Sequence, residues 1–295
     1  MVRNIGLISK MRNKKSYVLF LKYEFIVLKI NFFRYKMDLV KEDQVQSALN
    51  QQQGRNVSLC SYEVAEFTQK CDNFTTDVFC VNATYTKDGE KHDTTLIVKV
   101  HPKISTPDLN HFYVKTFEKE GGFFFDLAPL LSTELSLVGQ VNLRIPKACH
   151  LYTDSHRETL YLEDLRSKGY KSFGRTAPLD VAHTILIMQE YARLHGASML
   201  LSKRSSRESL LTKFPFLANI CSDRIIIKNM DEIFSGFLHG CADAAFKTSG
   251  YEAVGSKIMQ IIPSVYSKMT KNMEPTPQFE AVIHMDCYSG NFLFK

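Results

Sequence analysis

The seven cysteines of this chain (Cys60, Cys71, Cys80, Cys149, Cys221, Cys241 and Cys287) include no C-x-x-C pair and are odd in number, so they supply neither a zinc-site spacing nor an even disulfide framework. Scattered, reduced and mostly buried thiols fit a cytoplasmic protein. A long apolar run is also lacking near the N-terminus. Tyr17–Leu21 and Phe25–Leu28 are interrupted by Lys22, Glu24 and Lys29, which excludes a 20-residue membrane span and spoils the apolar core of a signal peptide. Without such a signal, the Asn-x-Ser/Thr triplets at Asn56, Asn73 and Asn82 are chance occurrences. Basic charge is scarce outside the N-terminus. Residues 1–36 hold nine Lys/Arg against one Glu, so of the formal net charge of +6 about −2 is left for residues 37–295. A basic nucleic-acid-binding face is therefore not expected. Internal repeats and low-complexity tracts are absent as well.

What is present is an ordinary globular composition, 44% hydrophobic over 295 residues, enough for one large or two-lobed domain. Residues 1–36 read as a basic extension, unstructured or artefactual, with a basic amphipathic membrane-surface helix as the alternative. Residues 37–59 read as a leader, polar and Gln-rich, suited to a short helix and then a linker. From Val64 to Val100 β-branched and aromatic residues dominate, with Lys87-Asp88-Gly89-Glu90 as a turn, which predicts an antiparallel sheet. Residues 108–137 have helical spacing, with Phe112, Thr116, Phe117, Glu120 and Phe124 near one face. Pro146 and the apolar run before Glu163 predict two further strands. After Pro178 the spacing turns helical at Val181, Ile185, Met188, Ala192 and His195, and again over 230–247 and 254–269, until Pro275-Thr276-Pro277.

The richest segment is His284-Met285-Asp286-Cys287-Tyr288-Ser289-Gly290-Asn291, followed by the apolar Phe292-Leu293-Phe294. A carboxylate able to take a hydroxyl proton, with an amide five residues later able to ligate Mg²⁺, is the core of a phosphotransfer loop. Upstream stand Ile97-Val98-Lys99-Val100, Phe117-Glu118-Lys119-Glu120, Leu160-Tyr161-Leu162-Glu163-Asp164-Leu165 with Arg166-Ser167-Lys168-Gly169-Tyr170, and Ala192-Arg193-Leu194-His195-Gly196-Ala197-Ser198.

In order and spacing these five pieces, across roughly residues 60 to 295, resemble the ecdysteroid kinase-like (CHK kinase-like) family. That family belongs with choline kinases and aminoglycoside phosphotransferases in the protein-kinase-like fold. The resemblance implies an α+β, two-lobed architecture: an antiparallel-sheet small lobe over residues 60–162 and a mainly helical large lobe over 163–295. It also implies an ATP- and Mg-dependent phosphotransferase acting on a small hydroxylated lipophile such as an ecdysteroid. Lys99 would contact the phosphates and Glu120 would hold Lys99 in place. Glu163 to Leu165 would pair with the adenine edge through backbone groups. Asn73 and Thr76 would donate to phosphate, Asp286 would orient the acceptor hydroxyl, and Asn291 would ligate the metal. His284 would support the loop rather than transfer protons. Asp164 would cap the following turn, and His195 has no catalytic role.

Three departures qualify that expectation. The segment Lys70–Thr76 has no glycine where the family carries one, so side chains crowd a backbone phosphate cradle. Met285 stands where a glycine is usual, which would strain the loop by about 1–2 kcal/mol if the position needs a positive φ. The chain stops four residues after Asn291, before the strand that bears the second metal-binding carboxylate of kinases. The sequence is therefore read as carrying an incomplete large lobe with little or no turnover, and a catalytically dead, nucleotide- or partner-binding pseudokinase is the alternative.

Overall fold

The computed structural model describes residues 40–67, 76–101, 107–153, 158–173, 178–205, 209–220, 223–272 and 281–295. The basic extension 1–36, Asn73 and the glycine-free segment 70–75 lie outside these residues.

The N-terminal part is one helix on one antiparallel sheet. Helix α1 (Glu42–Gln53) precedes β1 (Val57–Glu66), β2 (Asp77–Lys87) and β3 (Glu90–Val100), and the sheet is completed by β4 (Ala148–Tyr152) and β5 (Thr159–Glu163) in the order β1-β2-β3-β5-β4. The sheet begins at Val57, earlier than the Val64 expected from composition. Its tightest connection is the β2–β3 hairpin, where Lys87 pairs with Glu90 across Asp88 (φ 53°) and Gly89 (φ 86°). Two consecutive left-handed residues match the right-handed twist of the flanking strands, and Asp and Gly are the residues that accept that conformation.

Alternation along β3 sorts the sheet into two faces. Leu96, Val98 and Val100 are fully buried, together with Val81 of β2 and Tyr161 of β5, and Val45, Ala48 and Leu49 of α1 pack against them. Buried Gln44 of α1 accepts hydrogen bonds from Tyr161 Oη at 2.8 Å and Thr159 Oγ1 at 3.2 Å, which removes the penalty of an unpartnered amide. Ile97 and Lys99 point the other way. There Ile97, Leu160 and Leu162 meet Phe117 and Phe124 from the helical segment that follows β3.

That segment is α2 (Pro107–Gly122), a π-helical turn (Phe123–Leu127) and α3 (Ala128–Leu137). After the sheet come β6 (Lys171–Ser172), α4 (Val181–Arg204), α5 (Leu210–Lys213), α6 (Arg224–Phe246), α7 (Glu252–Asn272) and β7 (Leu293–Phe294), which pairs antiparallel with β6. The chain is thus α+β, with an antiparallel five-stranded sheet in its N-terminal part and a mostly helical C-terminal part, in keeping with a kinase-like two-lobed fold.

The α4 helix forms, but its apolar stripe at Val181, Ile185 and Met188 is exposed. Its buried residues are Ile187, Leu194, Ala197, Ser198 and Leu201. The reason is where α3 lies: Leu131 and Leu135 pack on Leu194, Ala197 and Leu201, covering only the C-terminal half of α4.

Candidate active site

Lys99 lies on the face of β3 opposite the α1 core, with Val78 and Leu160 as its cross-strand neighbours. Its ammonium is 2.5 Å from Glu120 Oε1 in the last turn of α2, and both side chains are about one-quarter exposed. The ion pair expected from the sequence therefore forms. Phe117, one turn earlier and buried, holds the helix against the sheet, with its ring 6.1 Å from that of His101.

At the end of β5 the chain turns between the two parts. Glu163 donates its N–H to Lys147 O at 2.9 Å, and its carboxylate binds Lys168 Nζ at 2.5 Å. The Leu165 carbonyl accepts from Tyr170 N–H at 3.2 Å. Asp164 is buried and caps the 3-10 turn Leu165–Lys168 by accepting from Arg166 N–H at 2.9 Å. It also accepts from Arg166 Nη2 at 2.7 Å and Thr95 Oγ1 at 3.0 Å. Burial pushes its pKa up, but the Arg166 side chain and N–H and the Thr95 hydroxyl outweigh burial and hold it below the ordinary value. The Arg166 guanidinium continues to Cys80 Sγ at 3.3 Å and stands 4.4 Å over the Phe67 ring. Thr76, half-buried, precedes β2 directly.

The segment 282–292 is seated on α4. Ser198, fully buried, accepts the Val282 N–H at 3.0 Å and donates to the His195 carbonyl at 2.9 Å. One and two turns earlier on the same face, His195 and Tyr191 stack toward each other at 5.9 Å, and the Tyr191 ring meets His284 at 6.3 Å and Phe292 at 6.1 Å. The Tyr191 phenol pKa is raised, first by burial and then by the adjoining Cys287 and the charge of Asp286. Within the loop, Asp286 donates its N–H to His284 Nδ1 at 3.3 Å, so His284 braces the backbone that carries the carboxylate. Asn291 Nδ2 donates to both Asp286 O and Asp286 Oδ2 at 2.8 Å. With the amide nitrogen so engaged, the amide oxygen is the atom of this exposed residue left to act as a ligand. Met285 has φ 64°, the left-handed conformation that a glycine would adopt without strain.

The structure thus brings Lys99 to Glu120, and His284, Asp286 and Asn291 to one another. Sequence reasoning passed over Tyr191 and Ser198. Ser198 closes the motif Ala192–Ser198, and Tyr191 lies just before it, so the signal was present without a role attached.

A model of the ecdysteroid kinase-like family matches residues 70–295, a span that contains every one of these groups. The chain belongs to the ecdysteroid kinase-like family. No curated protein and no solved structure matches it. As an ecdysteroid kinase-like protein it is of kinase-like, small-molecule phosphotransferase type, and use of ATP with a metal is general to such proteins. Among the described residues no group of three or more His, Cys, Asp or Glu forms a ready-made metal cluster, and no helix is long and apolar enough to cross a membrane.

Proposed function

We propose that this ecdysteroid kinase-like chain transfers the terminal phosphoryl group of Mg-ATP to a hydroxyl of a small lipophilic molecule, an ecdysteroid or similar alcohol. The observation that carries the reading is the 2.5 Å Lys99–Glu120 pair, on the sheet face turned away from the α1 core. An ammonium fixed by a counter-ion there is what the nucleotide phosphates require.

The donor set fits the nucleotide and its metal. Mg²⁺ keeps several waters and takes few protein oxygens beside the phosphates, so the amide oxygen of Asn291 would serve as one protein ligand without a cluster. When bound, the metal neutralises charge on the phosphoryl group. The chain's own residues do the rest. Lys99 offsets charge on the phosphates, and Glu120 keeps its ammonium in position. Asp286, its carboxylate oriented by Asn291 and its backbone by His284, accepts the proton of the acceptor hydroxyl. The backbone at Glu163–Leu165 meets the base. Because the Glu163 N–H is held by Lys147 O, Glu163 serves there through its carbonyl. Asn73 and Thr76 donate to phosphate, and the protein works in the cytoplasm.

Met285 supports a second reading, a relative that binds nucleotide without transferring phosphate. A side chain at φ 64° places strain directly beside Asp286. Incubation of the purified chain with Mg-ATP and ecdysone, with phosphorylated product read by mass spectrometry, separates the two. The first reading expects product that Asp286→Asn abolishes while nucleotide binding persists, and Lys99→Met weakens binding. Binding without product favours the second, and absence of nucleotide binding overturns both.

A further inference from the structure

Helix α2, which presents Glu120 to Lys99, is gripped from two sides through consecutive glycines. A Cβ on Gly121 would stand 2.9 Å from Leu151 Cδ2 of β4, in the sheet. A Cβ on Gly122 would stand 2.5 Å from Phe216 Cδ1, in the 3-10 turn Pro215–Leu217 of the helical part. The two approaches point in different directions, and the helix is wedged between them.

Lys119 completes the grip. Its ammonium donates to Phe216 O at 2.5 Å and also to Ala218 O. Those carbonyls lie at the end of a helical turn, where outward C=O groups favour a cation. Nearer the start of α2, His111 Nε2 lies 2.8 Å from Asp223 Oδ2, and Asp223 Oδ1 accepts the Ile226 N–H at 3.4 Å in the first turn of α6. The helix bearing the counter-ion is thus tied along its length to Phe216, Ala218 and Asp223. Neighbouring helical residues are 100° apart, so a tether on Lys119 fixes the rotation that aims Glu120.

We propose that Lys119 is a positioning residue for the Lys99–Glu120 pair: by fastening α2 to residues 216–218, it holds Glu120 at Lys99 and so sets nucleotide affinity. The proposal rests on the reading of Lys99 as the phosphate contact. Lys119 itself touches no nucleotide. Its effect passes through Glu120.

The test is a double-mutant cycle on the whole chain, with a fluorescent ATP analogue and Mg²⁺ as the probe. Lys119→Met is expected to weaken binding about tenfold, Lys119→Arg to restore most of it, and Lys119→Met with Glu120→Gln to bind no worse than Glu120→Gln alone. Additive losses, or no loss on Lys119→Met, overturn the proposal. Amide exchange over residues 112–122 is measured on the same proteins, which separates failure of the tether from failure of the nucleotide reading. If the wild-type chain does not bind the analogue, faster exchange in Lys119→Met that Lys119→Arg reverses still sustains the tether, and unchanged exchange overturns it.

Discussion

Substituting Met285 by glycine should stabilise the protein, although it removes a side chain. Met285 sits at φ 64° and the residue is 55% exposed, so little burial is at stake. A Cβ in the left-handed region costs about 1–2 kcal/mol, and glycine removes that cost. Against it stands the greater freedom of glycine in the unfolded chain, about 0.4–1 kcal/mol. The difference leaves a gain of roughly 0.5–1 kcal/mol, or about 1–4 °C in Tm for a domain near this size. Met285→Ala keeps the Cβ and should gain nothing, which makes it the control for loss of the thioether. The assay is thermal unfolding of the three proteins side by side, with urea midpoints as a second measure. An alanine variant as stabilised as the glycine variant, or a glycine variant less stable than wild type, would refute the argument from backbone strain. The other left-handed non-glycine residues described are Asn56 and Asp88, whose side chains tolerate that region, so Met285 is where the effect should be found.

The paired glycines of α2 predict opposite outcomes for one chemical change. Gly122→Ala drives a methyl into the Phe216 ring and should cost about 1–3 kcal/mol in urea unfolding, whereas Gly121→Ala meets a rotatable Leu151 methyl, and the helix propensity of alanine, about 1 kcal/mol, should leave it near neutral. Equal effects would contradict the packing described. Ser198→Ala removes the acceptor of the half-buried Val282 N–H and should cost about 0.5–1.5 kcal/mol, read as a lower urea midpoint. No change would mean that the amide finds another acceptor. For Asp164 the folded pKa lies below the unfolded one, so its contribution is present above the unfolded carboxylate pKa of about 3.9 and is lost as pH falls through the folded value. Arg166→Gln should therefore lower Tm at neutral pH, with the gap to wild type closing below about pH 4. A gap constant down to pH 2.5 would exclude the ion pair as its source.

The parts of this fold that were legible in the sequence are those set by local chemistry. The Asp88-Gly89 turn declares its own type, and the period of two through Leu96, Val98 and Val100 shows which face of β3 is covered. Lys99 then falls on the other face by parity. Helix α2 was readable for the same reason, since Phe117, Glu120 and Phe124 share a side. Periodicity in α4 marks a helix but does not say which of its residues are covered. An apolar stripe says that a helix can be covered along one face, but coverage depends on the length and placement of the neighbour. Here α3 is only ten residues long, and the cluster it forms with α4 takes in Leu194, Ala197 and Leu201, with Tyr191 partly buried against it. The stripe at Val181, Ile185 and Met188 consequently has helical spacing and stays exposed among the described residues.

The loop 284–291 shows where site reading from sequence reaches its limit. Asp286 and Asn291 could be singled out because a carboxylate and an amide at that spacing have a chemical use. Ser198 and Tyr191 have none of their own; they act on backbone and ring atoms separated from them by more than eighty residues, and only the packing of segment 282–292 onto α4 reveals them. Lys119 was hidden in another way. It stands beside Glu120 in a motif read for its glutamate, and the carbonyls it serves, on residues 216 and 218, carry no side-chain signature. Residues that perform chemistry are constrained by type and can be recognised singly. Residues that hold them are constrained by geometry, and several side chains can meet the same need. In this chain two such supports, α2 wedged by Gly121 and Gly122 and the loop braced by Ser198, hold Glu120 and the backbone leading to Asp286, so a search for further determinants of activity should begin with the contacts of these two elements rather than with exposed acidic or basic side chains.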